Sequence, residues 1–135
     1  MQAHHPQHSR GRILAVDDSE PIRLLLQASL ESLGYSVEAV ASGAAALEAA
    51  EREDFDAVIL DVDMPGLDGL AVGRALRNDP RTCAAVIAMH TSLDETDVRR
   101  GFDRYDAFLT TPASAHAIGE SVDRLVRARR AEARA

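Results

Sequence analysis

Three acidic residues stand directly after two apolar runs of the sequence. Asp17 and Asp18 follow the run 13–16, and Asp61 follows the run 57–60. If both runs are parallel strands of one sheet, their carboxyl ends meet at one edge, where the three carboxylates repel one another. Clustered carboxylates with few other donors nearby favour a hard cation such as Mg²⁺ over zinc. The spacing predicts an acidic magnesium pocket, although each acid taken singly could merely cap a helix or begin a turn.

Five short apolar runs, separated by amphipathic patterns, are the elements that would position these acids. The runs predict strands over residues 13–16, 36–40, 57–60, 84–89 and 107–109. Helical spacing between them predicts four helices, over about 20–33, 44–51, 68–77 and 92–101, and a fifth after Pro112. Strands that alternate with helices predict a doubly wound parallel sheet of the α/β class. The ligand crevice of such a sheet lies beyond the carboxyl ends of its strands.

Several residues carry signals for the ends and faces of these helices. Gly34 is a candidate left-handed cap for the first helix, and Asp68 is the predicted N-cap of the third. Ser92, with Glu95 three residues later, predicts a capping box for the fourth helix. The buried stripe of the last helix is predicted to consist of Ile118, Val122, Leu125 and Val126.

Length and composition limit the classes of protein that fit. The chain of 135 residues suits one domain, which we place at 11–130 between a disordered tail at 1–10 and a short tail at 131–135. A net charge of −7 disfavours nucleic acid as a partner, and no apolar run is long enough for a membrane span. The single cysteine forms no internal disulfide, which fits a cytoplasmic location. The histidines of the first tail have no fixed geometry and suggest no metal site.

The segment that follows the third predicted strand has a recognisable pattern. Residues 61–69 read Asp-Val-Asp-Met-Pro-Gly-Leu-Asp-Gly, which resembles the D-x-x-M-P-x-x-D-G motif of response-regulator receiver domains. Together with the acid pair after the first strand, the resemblance covers about residues 12–127. It implies a flavodoxin-like (βα)5 fold with strand order 2-1-3-4-5. It also implies that a histidine kinase phosphorylates Asp61, and that Asp17, Asp18, Asp61 and the backbone carbonyl of Asp63 hold Mg²⁺.

One position departs from the family pattern and two others match it loosely. Receivers carry a lysine before the proline that follows strand five, but Thr111 stands there in this chain. Thr91 is the best match for the switch hydroxyl at the end of strand four, and His90 beside it is a hypothetical replacement for part of the missing charge. Phe108 stands where the family has its switch aromatic and has no hydroxyl. The resemblance also implies a cis peptide bond before Pro112.

The resemblance implies a signalling phosphoacceptor rather than an enzyme. Its partners would be a histidine kinase or phosphotransfer protein and a downstream protein target, with a homodimer as a further expectation. Because few residues follow the last helix, we expect output to pass through a separate protein. A pseudo-receiver that acts without phosphorylation is the main alternative, since the family lysine is missing. A haloacid-dehalogenase-type phosphatase is a remote one, because Asp61-Val62-Asp63 matches its D-x-D but the sequence contains no lysine at all.

Overall fold

The computed structural model describes residues 10–110 and 113–134. Strands and helices alternate through this part of the chain, as the apolar runs predict. The elements are β1 (Arg12–Val16), α1 (Glu20–Ser32), β2 (Ser36–Val40), α2 (Gly43–Arg52), β3 (Ala57–Asp61), α3 (Gly69–Asn78), β4 (Val86–Thr91), α4 (Glu95–Gly101), β5 (Ala107–Thr110) and α5 (Ala115–Arg134).

The strands form one parallel sheet in the order β2-β1-β3-β4-β5. Strand order reverses between β1 and β3, and the crevice beyond the carboxyl ends of these two strands is therefore the expected ligand site. The predicted doubly wound fold and strand order are confirmed. The carboxyl ends of β1 and β3 are also where the acids of the candidate pocket stand.

The two faces of the sheet carry separate apolar cores, which alternate residue by residue along each strand. On one face, β1, β3 and β4 contribute Ile13, Ala15, Ala57, Ile59, Val86 and Ala88, which pack with buried residues of α1 and α5. On the other face, the same strands contribute Leu14, Val16, Val58, Leu60, Ile87 and Met89, which pack with buried residues of α2, α3 and α4. We call these the α1/α5 face and the α2/α3 face.

Side chains and backbone bonds define the helix ends, with one correction to the predictions. Gly34 has a φ of 99°, and its amide and that of Tyr35 bond to the carbonyls of Glu31 and Leu30, which is the expected left-handed C-terminal motif. Asp68 caps α3 as predicted, accepting from the amide of Ala71 at 2.9 Å. The capping box at Ser92 is wrong, because α4 begins later and Asp94 caps it.

Strand four also lies two residues later than predicted, at Val86–Thr91 instead of 84–89. The cause is a turn after α3, in which the amides of Thr82 and Cys83 bond to the carbonyl of Asp79, and the amide of Ala85 bonds to that of Thr82. Apolar Ala84 and Ala85 therefore belong to this turn. The shift matters for the site because it extends the strand through His90 and Thr91.

Both predicted tails differ from the structure in the part nearest the domain. Arg10 already bonds through its amide to the carbonyl of Gly34, at 2.8 Å. The segment 131–135 was expected to be a tail, but α5 continues as far as Arg134. Ile118, Val122 and Val126 of the predicted stripe are buried, and Leu125 is partly buried against the same core. Within the described ranges, no helix is both long and apolar enough to cross a bilayer.

Candidate functional site

The three acids predicted from the sequence lie together beyond the carboxyl ends of β1 and β3. One carboxylate oxygen from each of Asp17, Asp18 and Asp61 lies within 4.8 Å of the others. Asp17 is buried, Asp61 is partly buried and Asp18 is exposed. Carboxylates this close together repel one another unless one is protonated or a cation lies between them. The cluster thus has the hard oxygen donors that suit Mg²⁺.

Local backbone geometry fixes the two inner acids. A carboxylate oxygen of Asp17 accepts a hydrogen bond from the amide of Ser19 at 2.9 Å, and its carbonyl accepts one from the guanidinium of Arg23 at 2.8 Å. Asp61 Oδ1 accepts from the amide of Asp63 at 3.1 Å. Each of the two amide bonds is accepted by a single carboxylate oxygen, Oδ1 in both residues.

Gly69 explains the last residue of the 61–69 motif. A Cβ atom at this position would lie 2.3 Å from the carbonyl oxygen of Asp61 and 2.9 Å from Cα of Val62. Only glycine lets the first turn of α3 approach the end of β3 this closely. The motif therefore combines the carboxylate of Asp61 with a glycine that lets the start of α3 pack against the end of β3.

The electrostatics of the pocket match a site that receives positive charge. Burial, together with the nearby charge of Asp17, raises the pKa of Asp61 to about 6. Burial also raises the pKa of Asp17, against the lowering effect of its bond from the Ser19 amide. Both shifts disfavour the ionised carboxylates in the absence of a cation. A bound divalent ion would reverse this preference and ionise the cluster.

The register of the sheet separates His90 from Thr91. Asp61 and His90 are Cα partners in the parallel pairing of β3 and β4. Register partners in a parallel pair point to the same face, and successive residues alternate, so Asp61 and His90 share the α1/α5 face while Thr91 continues the α2/α3 face. The register places His90 beside Asp61. Thr91 still lines the pocket, and its hydroxyl oxygen accepts a hydrogen bond from the amide of Leu93 at 3.1 Å.

The remaining predicted residues divide between the pocket and its surroundings. Asp63 also lines the pocket, and its side chain is exposed. Phe108 is partly buried on the α2/α3 face, where its ring lies 5.6 Å from that of Tyr105. Thr111 and the predicted cis bond before Pro112 lie outside the described residues. The role predicted for the Thr91 hydroxyl stays a prediction.

Sequence analysis missed several residues around the pocket. Ser19, Ile22 and Ser92 line the pocket, which has a volume of about 270 Å³, together with the acids and His90. The guanidinium of Arg23, in the first turn of α1, donates a hydrogen bond to the carbonyl of Asp17. The spacing of Ser19 and Arg23 from Asp17 would have placed them in the first turn of α1. Which of their atoms turn back toward the acids could not be read from spacing alone.

Comparisons with known proteins agree on one family. The response regulator receiver domain model matches residues 13–122. The transcriptional activator protein PfeR of Pseudomonas aeruginosa is 38% identical over 117 residues, which make up 86% of this chain and 38% of that protein. The chemotaxis response regulator CheY4 of Vibrio cholerae aligns with a TM-score of 0.78 and 29% identity, over 84% of this chain and 97% of that one. A histidine-kinase receiver domain from Syntrophus aciditrophicus aligns with a TM-score of 0.79 and 33% identity, over 87% and 91%.

The chain belongs to the response regulator receiver family, the signalling domain of two-component systems. Its sheet order and its acid cluster are the features that the family description implies. The chain spans less than half of the length of the activator PfeR. Membership in this family leaves the phosphatase alternative without support.

Proposed function

We propose that the protein is a phosphoacceptor that receives a phosphoryl group on Asp61. The observation that carries the proposal is the cluster of Asp17, Asp18 and Asp61 at the reversal point of the sheet. Asp61 is the last residue of β3, where it pairs with His90 of β4, and the preceding Leu60 pairs with Val16 of β1. A carboxylate held rigidly at the mouth of a pocket is suited to attack an incoming phosphorus atom.

The transfer itself makes one bond and breaks one. A carboxylate oxygen of Asp61 attacks phosphorus, and an O–P bond forms as the bond from phosphorus to the donor atom breaks. The electron pair of the broken bond stays with the donor, which is the imidazole nitrogen of a kinase phosphohistidine or the oxygen of a small acyl phosphate. Hydrolysis later returns the Asp61 carboxylate and inorganic phosphate.

We propose Mg²⁺ as the resident ion, with Asp17, Asp18, Asp61 and the carbonyl of Asp63 as its protein ligands. When bound, Mg²⁺ offsets negative charge on the phosphoryl oxygens. The chain's own contribution is orientation: the Ser19 amide fixes Asp17, and the Asp63 amide fixes Asp61. The raised pKa of Asp61 supports this assignment, since it marks a site that lacks compensating positive charge from the described side chains.

We propose a histidine kinase or a phosphotransfer protein as the phosphoryl source, a downstream protein as the target, and the cytoplasm as the location. Family membership supports these partners. The arginines of the last helix do not argue for nucleic acid, because three of them pair with acids of the chain itself. Arg127, Arg129 and Arg130 lie 3.2, 2.9 and 3.2 Å from Asp123, Asp106 and Asp56.

The proposal is tested by incubating the protein with Mg²⁺ and acetyl phosphate and measuring its intact mass. We expect one added phosphoryl group on the wild type and none on Asp61→Asn. Asp63→Asn is the matched control, because it removes a neighbouring carboxylate but keeps the backbone carbonyl. An unmodified wild type that also fails to bind Mg²⁺ would instead favour the pseudo-receiver alternative.

A further inference from the structure

His90 occupies the position on the sheet that faces a group carried by Asp61. Asp17, Asp61 and His90 each continue the α1/α5 face at the carboxyl ends of β1, β3 and β4. All three line the same pocket, and the charge of Asp17 acts on the His90 ring. A phosphoryl group on Asp61 would therefore have the imidazole as its neighbour across the β3–β4 ladder.

The His90 ring has hydrogen-bonding capacity that the fold leaves unused. The residue is only 6% exposed, and its Nε2 atom has no hydrogen-bond partner among the described residues. Leaving a buried polar atom unpaired costs about 1–3 kcal/mol, so such atoms are commonly met by a water, an ion or a ligand. The ring also lines an apolar groove between α1 and the start of α5, which surrounds it with Leu26 and Ile118.

Among the described residues that line the pocket, His90 is the one with a basic side chain. The sequence contains no lysine, so no lysine from another position can replace the one that the family pattern has at position 111. The Arg23 guanidinium bonds to the carbonyl of Asp17. Thr91 lies on the α2/α3 face, where its oxygen accepts from the Leu93 amide and its O–H can still donate. His90 thus offers a nitrogen donor beside Asp61, on the face that Asp61 shares.

We propose that His90 donates an N–H hydrogen bond to an oxygen of the phosphoryl group on Asp61, in addition to the hydroxyl that the family pattern places at Thr91. The inference rests on the proposed function of Asp61 as phosphoacceptor. A neutral imidazole suffices, because it always carries one N–H group. Burial lowers the pKa of His90, which is consistent with the neutral form. Hydrogen bonds to charged oxygens are stronger than those between neutral groups, so one donor has a measurable effect.

The test uses beryllium fluoride with Mg²⁺ as a stable probe of the phosphorylated state. In the protein labelled with ¹⁵N at histidine, we expect the His90 imidazole signals to shift and a protected N–H proton to become visible when the probe binds. His90→Gln identifies the signals by removing them. This measurement on the wild type does not depend on any variant folding correctly.

Three variants then measure the contribution of the donor. His90→Leu removes the N–H while filling the space, and we expect it to bind the probe about tenfold or more weakly. His90→Gln keeps a side-chain amide donor and should stay within about threefold of the wild type by the same reasoning. His116→Leu is the matched control, because it makes the same substitution at an exposed histidine of α5 that pairs with Glu120, and it should change binding by less than about twofold.

The possible results separate this inference from the proposed function. Normal probe binding by His90→Leu, or a wild-type imidazole that does not respond to the probe, would overturn the role of His90 and leave Asp61 as the acceptor. Equal losses in His90→Leu and His116→Leu would overturn it as well, because the effect would then not come from the pocket. Failure of the wild type itself to bind the probe, with Mg²⁺ present, would overturn both proposals.

Discussion

The buried guanidinium of Arg77 and the partly accessible carboxylate of Asp106 form an ion pair, with Nη2 2.8 Å from Oδ2. Arg77 lies in the last turn of α3, and Asp106 directly precedes β5. The same carboxylate oxygen also accepts from the amide of Ile87 at 2.8 Å. The pair thus joins α3 to the amino ends of β4 and β5, at the edge of the sheet opposite the acid cluster.

Loss of the Arg77 guanidinium should destabilise the protein without affecting the pocket. Arg77 also donates to the carbonyls of Cys83, Ala85 and Arg104, so Arg77→Met removes a donor from three backbone acceptors, while Asp106 keeps its bonds from Arg129 and the Ile87 amide. We expect the free energy of unfolding to fall by about 2 kcal/mol, measured by urea denaturation. The control Arg100→Met breaks an exposed pair with Asp97 and should cost less than about 0.5 kcal/mol. Equal losses in the two variants would contradict the structural role of Arg77.

Removal of the Asp61 charge should stabilise the protein when Mg²⁺ is absent. The folded-state pKa of Asp61 is about 6, above the ordinary value of 3.8, so the folded state binds more protons between these values. The contribution of Asp61 to stability therefore declines as pH rises through this window. We expect Asp61→Asn to be more stable than the wild type by about 1–2 kcal/mol at pH 7, and the difference to vanish near pH 4.

Chemical denaturation across this pH range provides the measurement. Asp54→Asn is a suitable control, because the side chain of Asp54 is 86% exposed and its removal should change stability by less than about 0.5 kcal/mol at every pH. A pH-independent difference between Asp61→Asn and the wild type would show that the ionisation of Asp61 is not the cause of the difference in stability.

Magnesium binding should distinguish side-chain ligands from a backbone ligand. Asp18→Asn removes a cluster carboxylate, and we expect the affinity for Mg²⁺ to fall by about tenfold or more. Asp63→Asn keeps the backbone carbonyl, so its affinity should remain within about threefold of the wild type. Amide NMR titrations with Mg²⁺ measure both. If the two variants lose affinity equally, the carboxylate of Asp63 takes part in binding.

A change at Phe108 should be visible through Tyr105. The two rings are 5.6 Å apart, and the Tyr105 hydroxyl donates to the carboxylate of Glu95 at the start of α4. If Phe108 moves when Asp61 is occupied, beryllium fluoride should change the tyrosine fluorescence of the wild type. The change should persist in Tyr35→Phe and disappear in Tyr105→Phe, since the sequence has two tyrosines and no tryptophan. An unchanged emission in both the wild type and Tyr35→Phe would argue against a switch at Phe108.

The sequence was most informative where one signal acts alone. Apolar runs and cap residues such as Gly34 and Asp68 predicted the order of elements and the edge at which the acids meet. It failed where two local signals competed. Ser92 and Asp94 are both suitable N-caps. Which of them caps α4 depends on the residue at which the turn after α3 ends and β4 begins. The strand bounds alone could not show that His90 pairs with Asp61, because a change of register by one residue reverses the side-chain direction.

The position of the Arg77–Asp106 pair has a consequence for how such a protein can diverge. Because this network joins the amino ends of the strands, substitutions at the carboxyl ends need not disturb it. A residue such as His90 can then be exchanged with little effect on the amount of folded protein in the cell, which depends on stability. Selection could adjust the duration of a signal at one end of the sheet while the abundance of the protein stays constant.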